Sequence, residues 1–187
     1  MPEETHPYWV VAELLKKYPS VEKLWFSHYV YTPQSISDER INFAVPRATF
    51  LSNDWISSAL SKTPASKELA IHSNVICSDG SEMHIPMADM STGAKAHLIK
   101  LQDLLHHTGF GVFDWFSSGR SFHGYGDRLI NSEDWRRLMG VLLLSNQRGM
   151  MPTVDPRWIG HRLMSGYSAL RWTRNTSHYV SFPSKVL

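Results

Sequence analysis

The stretch Ser117-Ser118-Gly119-Arg120-Ser121-Phe122-His123 lies between an aromatic run, Phe110 to Phe116, and the small-residue segment Gly124-Tyr125-Gly126. A strand leading into it brings a hydroxyl, a glycine-exposed backbone, a guanidinium and an imidazole together. That donor set suits a phosphate or another anion. A plain turn with a structural histidine would use the same residue types, so the reading depends on the surrounding chain.

At 187 residues the chain can form one sizeable domain or two closely packed modules. Its apolar content of 42% is that of an ordinary globular protein. Cys77 is the single cysteine, so no intrachain disulfide forms, which fits a reducing compartment. The acidic start has no signal-peptide character, and no apolar run is long enough to span a membrane. The expectation is a soluble, cytoplasmic protein. The net charge of +2 excludes nothing, but no Asp or Glu follows Asp155, whereas Arg157, Arg162, Arg171, Arg174 and Lys185 do. Such a basic segment suits a polyanion, although ion pairs elsewhere in the fold would also absorb it.

Apolar spacing predicts a helix over 8–18, a strand over Leu24 to Tyr31, a loop from Thr32 to Asp38 and a short strand over Ile41 to Val45. Asn53-Asp54-Trp55 opens a short helix, and Ser61 to Ser66 reads as a linker. Ala70 to Cys77 and Met83 to Met90 then read as two strands joined through Asp79-Gly80, a strong hairpin signal. Ser91 or Thr92 caps a helix with Ala94, Leu98, Leu101 and Leu105 on one stripe, stopped by Gly109. Phe110 to Phe116 is the next strand. Asn131 to Asp134 starts a helix burying Trp135, Leu138, Met139 and Leu142. Asp155-Pro156 starts another, carrying Trp158, Ile159, Leu163 and Arg162 to Gly166. Ala169 to Asn175 alternates, with Leu170 and Trp172 on one side and Arg171, Thr173 and Asn175 on a polar side fit to line a cleft. This order predicts an α+β sheet with helices on one face, over 67–187, preceded by an α/β module over 1–66.

Asp89 closes a strand and shares its face with Ser91. A carboxylate there can hold Mg²⁺ or Mn²⁺, or simply cap the next helix. Asp155 has the same two readings, and Asp79 belongs to a turn. No Cys/His spacing suits zinc, and there is neither a GxGxxG sequence nor a Walker loop.

Together these residues resemble the archaeo-eukaryotic primase (primase-polymerase) superfamily over roughly residues 69–181. Its first signature is a strand ending in Asp-x-Asp, its second Ser-x-His, often Ser-Gly-Arg-Gly-x-His, and its third a hydrophobic residue followed by Asp, with a basic strand beyond. Ser118 to His123 resembles the second, with Ser121 in place of glycine. Val154-Asp155 resembles the third, and Ala169 to Thr173 the basic strand. Asp89 matches the first acid of the first signature, but Ser91 stands where the second acid belongs.

The resemblance implies an RRM-like sheet with flanking helices and a nucleotide site. Ser118, Gly119, Arg120, His123, Arg171 and Thr173 would contact the nucleotide. Asp89 and Asp155, with Ser91, would hold Mg²⁺ or Mn²⁺ and serve catalysis. In the family three carboxylates hold two ions; here one is missing, and Asp114 is a candidate substitute without a clear place. Two functions stay open: metal-dependent nucleotidyl transfer on DNA or RNA, or a degenerate module that binds nucleotide and nucleic acid in a replication or anti-phage assembly. A scaffold that binds no nucleotide is the third. A larger replicative role would need partner proteins.

Overall fold

A computed structural model describes residues 4–52 and 54–186. In chain order the elements are α1 (Tyr8–Lys16), β1 (Val21–Tyr29), β2 (Arg40–Pro46), α2 (Arg47–Phe50), α3 (Trp55–Lys62), β3 (Glu68–Cys77), β4 (Glu82–His84) and β5 (Met87–Asp89). They continue with α4 (Lys95–His107), β6 (Phe113–Ser117), β7 (Phe122–Gly126), β8 (Ile130–Asn131), α5 (Ser132–Leu144), α6 (Pro156–Ser165), β9 (Ala169–Arg171) and β10 (Ser184–Lys185). The result is a mixed α+β fold with flanking helices. Among the described residues no helix is long and apolar enough to cross a membrane.

The single strand expected over Met83 to Met90 is two. Pro86 has no N–H to give a ladder, and at Ile85-Pro86 the chain leaves one sheet for another. β4 pairs with β3 and β8, whereas β5 pairs with β7. The single sheet expected from residue 69 onward is therefore two sheets. The first has the order β2-β1-β3-β4-β8, with β9 also on β3, and the second has the order β10-β6-β7-β5. β3 pairs with β1 along almost its whole length, from Val21↔Cys77 to Tyr29↔Glu68. The segments before and after 66/67 thus share a sheet, and one core holds Leu15, Phe26 and Phe50 together with Leu69, Tyr125 and Trp172.

The aromatic run shortens to β6, because Gly111 takes a left-handed φ of +79° ahead of it. In the second sheet both faces are covered, and alternation divides its side chains between two cores. Met87, Phe116 and Tyr125 face the core shared with α1 and the first sheet. Ala88, Trp115 and Phe122 face a second core with Leu98, Leu101 and Leu105 of α4 and Leu138 and Leu142 of α5. This two-sided burial explains why the run has no polar period.

Several local signals appear as expected. Gly80 has φ +81° in the β3–β4 turn, and Asp79 Oδ1 accepts from Ser81 N at 2.9 Å. Asn131 caps α5, accepting from Asp134 N at 2.8 Å. Gly166 ends α6 with φ +81°. The predicted cap at Asn53 lies outside the described residues, and Asp54 makes no side-chain cap to α3. Thr92 bonds Ala94 N at 3.1 Å ahead of α4 and does not cap it. On α6 the inward positions are Ile159 and Arg162; Leu163 is exposed.

Candidate functional site

Asp89, at the end of β5, is paired in register with His123 on β7. Its carboxylate Oδ1 lies 3.5 Å from His123 Nε2. The segment carrying Asp155 is stitched beside it by main-chain bonds. Ser91 N donates to Thr153 O at 2.9 Å, Asp155 N donates to Asp89 O at 3.0 Å, and Met90 bridges Val154. Asn146 holds that segment from behind. Its Oδ1 accepts from Thr153 N at 2.8 Å and Val154 N at 3.0 Å, and its Nδ2 donates to Val154 O at 3.0 Å. Two carboxylates separated by 66 positions in the chain are thereby placed side by side. Asp155 also caps α6, with Oδ1 accepting from Arg157 N at 2.8 Å, which is the cap reading of this residue.

Ser118 to Ser121 forms the hairpin turn between β6 and β7. Ser118 N donates to Ser121 O at 3.0 Å, and the two hydroxyls are 3.0 Å apart. Ser121 thus braces the turn. Gly119 has φ +108°, and a Cβ there would meet Ser181 Oγ at 3.1 Å and Val180 Cβ at 3.3 Å. Glycine lets the C-terminal segment pack on the turn. Arg171 ties the turn to the first sheet: Nη2 donates to Ser118 O at 2.9 Å and Ser181 O at 3.2 Å, and Nη1 donates to Thr173 O. Its guanidinium lies 4.0 Å from the centre of the Tyr179 ring.

These residues surround a cavity of about 410 Å³. Asp89, Ser91, Ser118, Arg120, His123, Asp155 and Arg171 line it. Gly119 and Thr173 do not. Thr173 is buried on the far side, where its hydroxyl accepts from Leu69 N at 2.8 Å and donates to the buried Glu68 carboxylate. Asp114 faces elsewhere, paired with Lys185 at 2.7 Å. It does not replace the missing acid.

Sequence reasoning missed the opposite wall. It comes from Tyr29, Tyr31, Asp38 and Arg40 of the N-terminal segment and from His178 and Tyr179. The Tyr31 and His178 rings are 4.2 Å apart, and the Tyr29 and Tyr179 hydroxyls are 3.1 Å apart. No local pattern marks these residues. Only Arg162, a charge on the inward stripe of α6, carried a signal.

Electrostatics divide the cavity. Burial, and then the neighbouring Asp155 charge, push the Asp89 carboxyl up to about 8 despite Arg171 and Arg162. Burial, and then the Arg171 charge, drop His123 to about 3, so its imidazole is neutral. Its Nδ1 is buried without a hydrogen-bond partner among the described residues. Burial acts to raise the Asp38 carboxyl, but the bond and charge of Arg40 and the charge of Arg162 hold it below the usual range. The lining carries five arginines, 40, 120, 157, 162 and 171, against three aspartates, 38, 89 and 155. The balance favours an anionic ligand.

A paired-ion site needs more oxygen donors than the other half supplies. Asp89 and Asp155 offer two carboxylates, one of them already capping a helix, and Ser91 offers a neutral hydroxyl. Among the described residues no group of three or more His, Cys, Asp or Glu side chains is gathered to hold a metal. The residues present do not fit two ions.

Residues 47–184 match the family described as archaeo-eukaryotic primase 1D-like (AEP-like). No curated protein matches the chain. With its ordered acids, Ser-x-His hairpin and basic strand around one cavity, and with most of its length matched, the chain belongs to the archaeo-eukaryotic primase-like family.

Proposed function

We propose that this chain is a nucleotide- and nucleic-acid-binding member of its family, with a phosphate-binding half that is retained and a metal-binding half that is reduced. The observation that carries this reading is the cavity lining, five arginines against three aspartates, of which only Asp89 and Asp155 are adjacent. A nucleoside triphosphate would place its phosphates against Ser118, Arg120 and His123, with Arg171 holding the turn that presents them. Neutral His123 is a hydrogen-bonding partner for a phosphate rather than a charge. Nucleic acid would approach the basic rim, and partner proteins of a replication or anti-phage assembly would supply the functions the chain lacks.

Thermal unfolding with each nucleoside triphosphate and with single-stranded DNA tests this. The expected result is stabilisation by nucleotide that His123→Ala abolishes. Absence of stabilisation by every nucleotide and by DNA would leave only the scaffold reading.

One observation favours a second reading, nucleotidyl transfer: the main-chain stitching holds Asp89 and Asp155 side by side, as a shared cation would require. Primer extension and dinucleotide synthesis with Mg²⁺ and Mn²⁺ decide it. Product lost in Asp89→Ala supports transfer, and product absent throughout supports the binding module.

A further inference from the structure

The loop between β1 and β2 lies outside the residues matched to the family, yet it reaches the cavity. Asp38 Oδ2 accepts from Arg40 Nε at 2.8 Å and from Arg162 Nη2. Two guanidinium charges therefore share one carboxylate oxygen. Arg40 is otherwise held, by Ser27 Oγ at 3.1 Å and over the Tyr29 ring at 4.1 Å. Arg162 is not. It is 1% exposed, it lines the cavity, and its Nε and Nη1 are buried without a hydrogen-bond partner among the described residues. The nearby His72, stacked on Tyr167 at 4.1 Å, is kept neutral by burial and by these same arginines, so it adds no further positive charge.

Buried polar groups are nearly always satisfied, and a buried guanidinium with two free donors beside a cavity calls for an acceptor. Asp38 meets only one edge of that fork. A tetrahedral oxyanion has oxygens in several directions and more charge than one carboxylate, so it can meet donors that Asp38 leaves free. Asp38 is also removable in principle, because residues 30–39 form no strand or helix and most are exposed.

We propose that Arg162 and Arg40 form a second anion subsite for a phosphoryl group, and that Asp38 is an internal carboxylate which occupies it until such a group displaces it. The subsite rests on the nucleotide reading only for the source of that group, a triphosphate tail or free pyrophosphate.

Titration calorimetry of the full chain in EDTA, with sodium pyrophosphate and separately with a nucleoside triphosphate, tests this. Asp38→Asn removes the competing charge and should bind pyrophosphate about tenfold tighter than wild type. Adding Arg40→Gln to that variant should abolish the gain, and Arg162→Met should do the same if it folds. A gain with triphosphate of the same size assigns the subsite to the nucleotide tail; a gain with pyrophosphate alone assigns it to the free anion. Pyrophosphate affinity in Asp38→Asn within twofold of wild type, or a gain that survives Arg40→Gln, overturns the subsite. A triphosphate that never binds while the pyrophosphate gain persists overturns the nucleotide reading instead.

Discussion

Asp89 and His123 face each other across the β5–β7 ladder with Oδ1 and Nε2 3.5 Å apart, and burial drives both toward neutrality. Their pKa values move in opposite directions, about 8 for the acid and about 3 for the imidazole. The buried His6, His72 and His84 are lowered as well. A lowered histidine loses stability as pH falls below its unfolded value of about 6.5 and contributes no slope above it. Asp89 does the reverse: the native state holds its proton where the unfolded chain has lost it, so stability falls as pH rises from about 4 to about 8. Between pH 6.5 and 8 only Asp89 of this set acts. The wild-type melting temperature should fall across that window by roughly 4 °C more than that of Asp89→Asn. Parallel curves for the two proteins would refute the assignment.

Ser91 lines the same cavity as Asp89 and Asp155. Ser91→Asp would place a third carboxylate beside two that already repel. The expected outcome is a variant less stable than wild type without metal and stabilised by millimolar Mn²⁺ by several degrees, on the order of 2 kcal/mol. Wild type should shift far less. Equal Mn²⁺ response in both proteins would mean that Ser91 does not face the carboxylates.

Arg171 acts as a strut between three segments, through the carbonyls of Ser118, Thr173 and Ser181 and the face of Tyr179. An ammonium cannot span that fan of planar donors. Arg171→Lys should therefore destabilise the fold by about 3 kcal/mol by leaving buried carbonyls unsatisfied. Urea denaturation checks this. A loss of nucleotide binding with unchanged stability would instead make Arg171 a direct ligand.

What the sequence made legible was local. Asp79-Gly80, Asn131 and Asp155-Pro156 each satisfy main-chain groups within a few positions, so their chemistry is visible in a short window. The Ser118 to His123 turn is of the same kind. The charged wall was not legible, because Arg162 meets Asp38 across 124 positions and no pattern near either residue names the other. Alternation along Ala169 to Asn175 put Arg171 and Thr173 on one polar side, away from Leu170 and Trp172. It could not show that the buried Glu68 would draw Thr173, Asn175 and Thr176 away from the cavity. Pro86 was in plain view. Reading it as a change of sheet needed the knowledge that β5 would pair with β7.

Gly124 follows His123 on β7, opposite Trp115 and Ala88. A Cβ there would lie 2.6 Å from Trp115 Cζ3 and 2.8 Å from Cη2. The indole cannot slide aside: it is 1% exposed, and its Nε1 donates to Gln102 Oε1 at 2.9 Å. Gly124→Ala should thus overpack the second sheet and cost about 2 kcal/mol. Because the strain falls one residue from His123, nucleotide-dependent stabilisation should weaken along with stability. Gly160, exposed on α6 with nothing within 4 Å of a built Cβ, is the matched control. Gly160→Ala should stabilise by about 0.5 kcal/mol, since alanine favours the helix and restricts the unfolded chain. Opposite signs in parallel urea titrations identify close packing at Gly124 as the cause. A loss of stability in both variants would point to a general intolerance of the added methyl group and would count against the Trp115 contact.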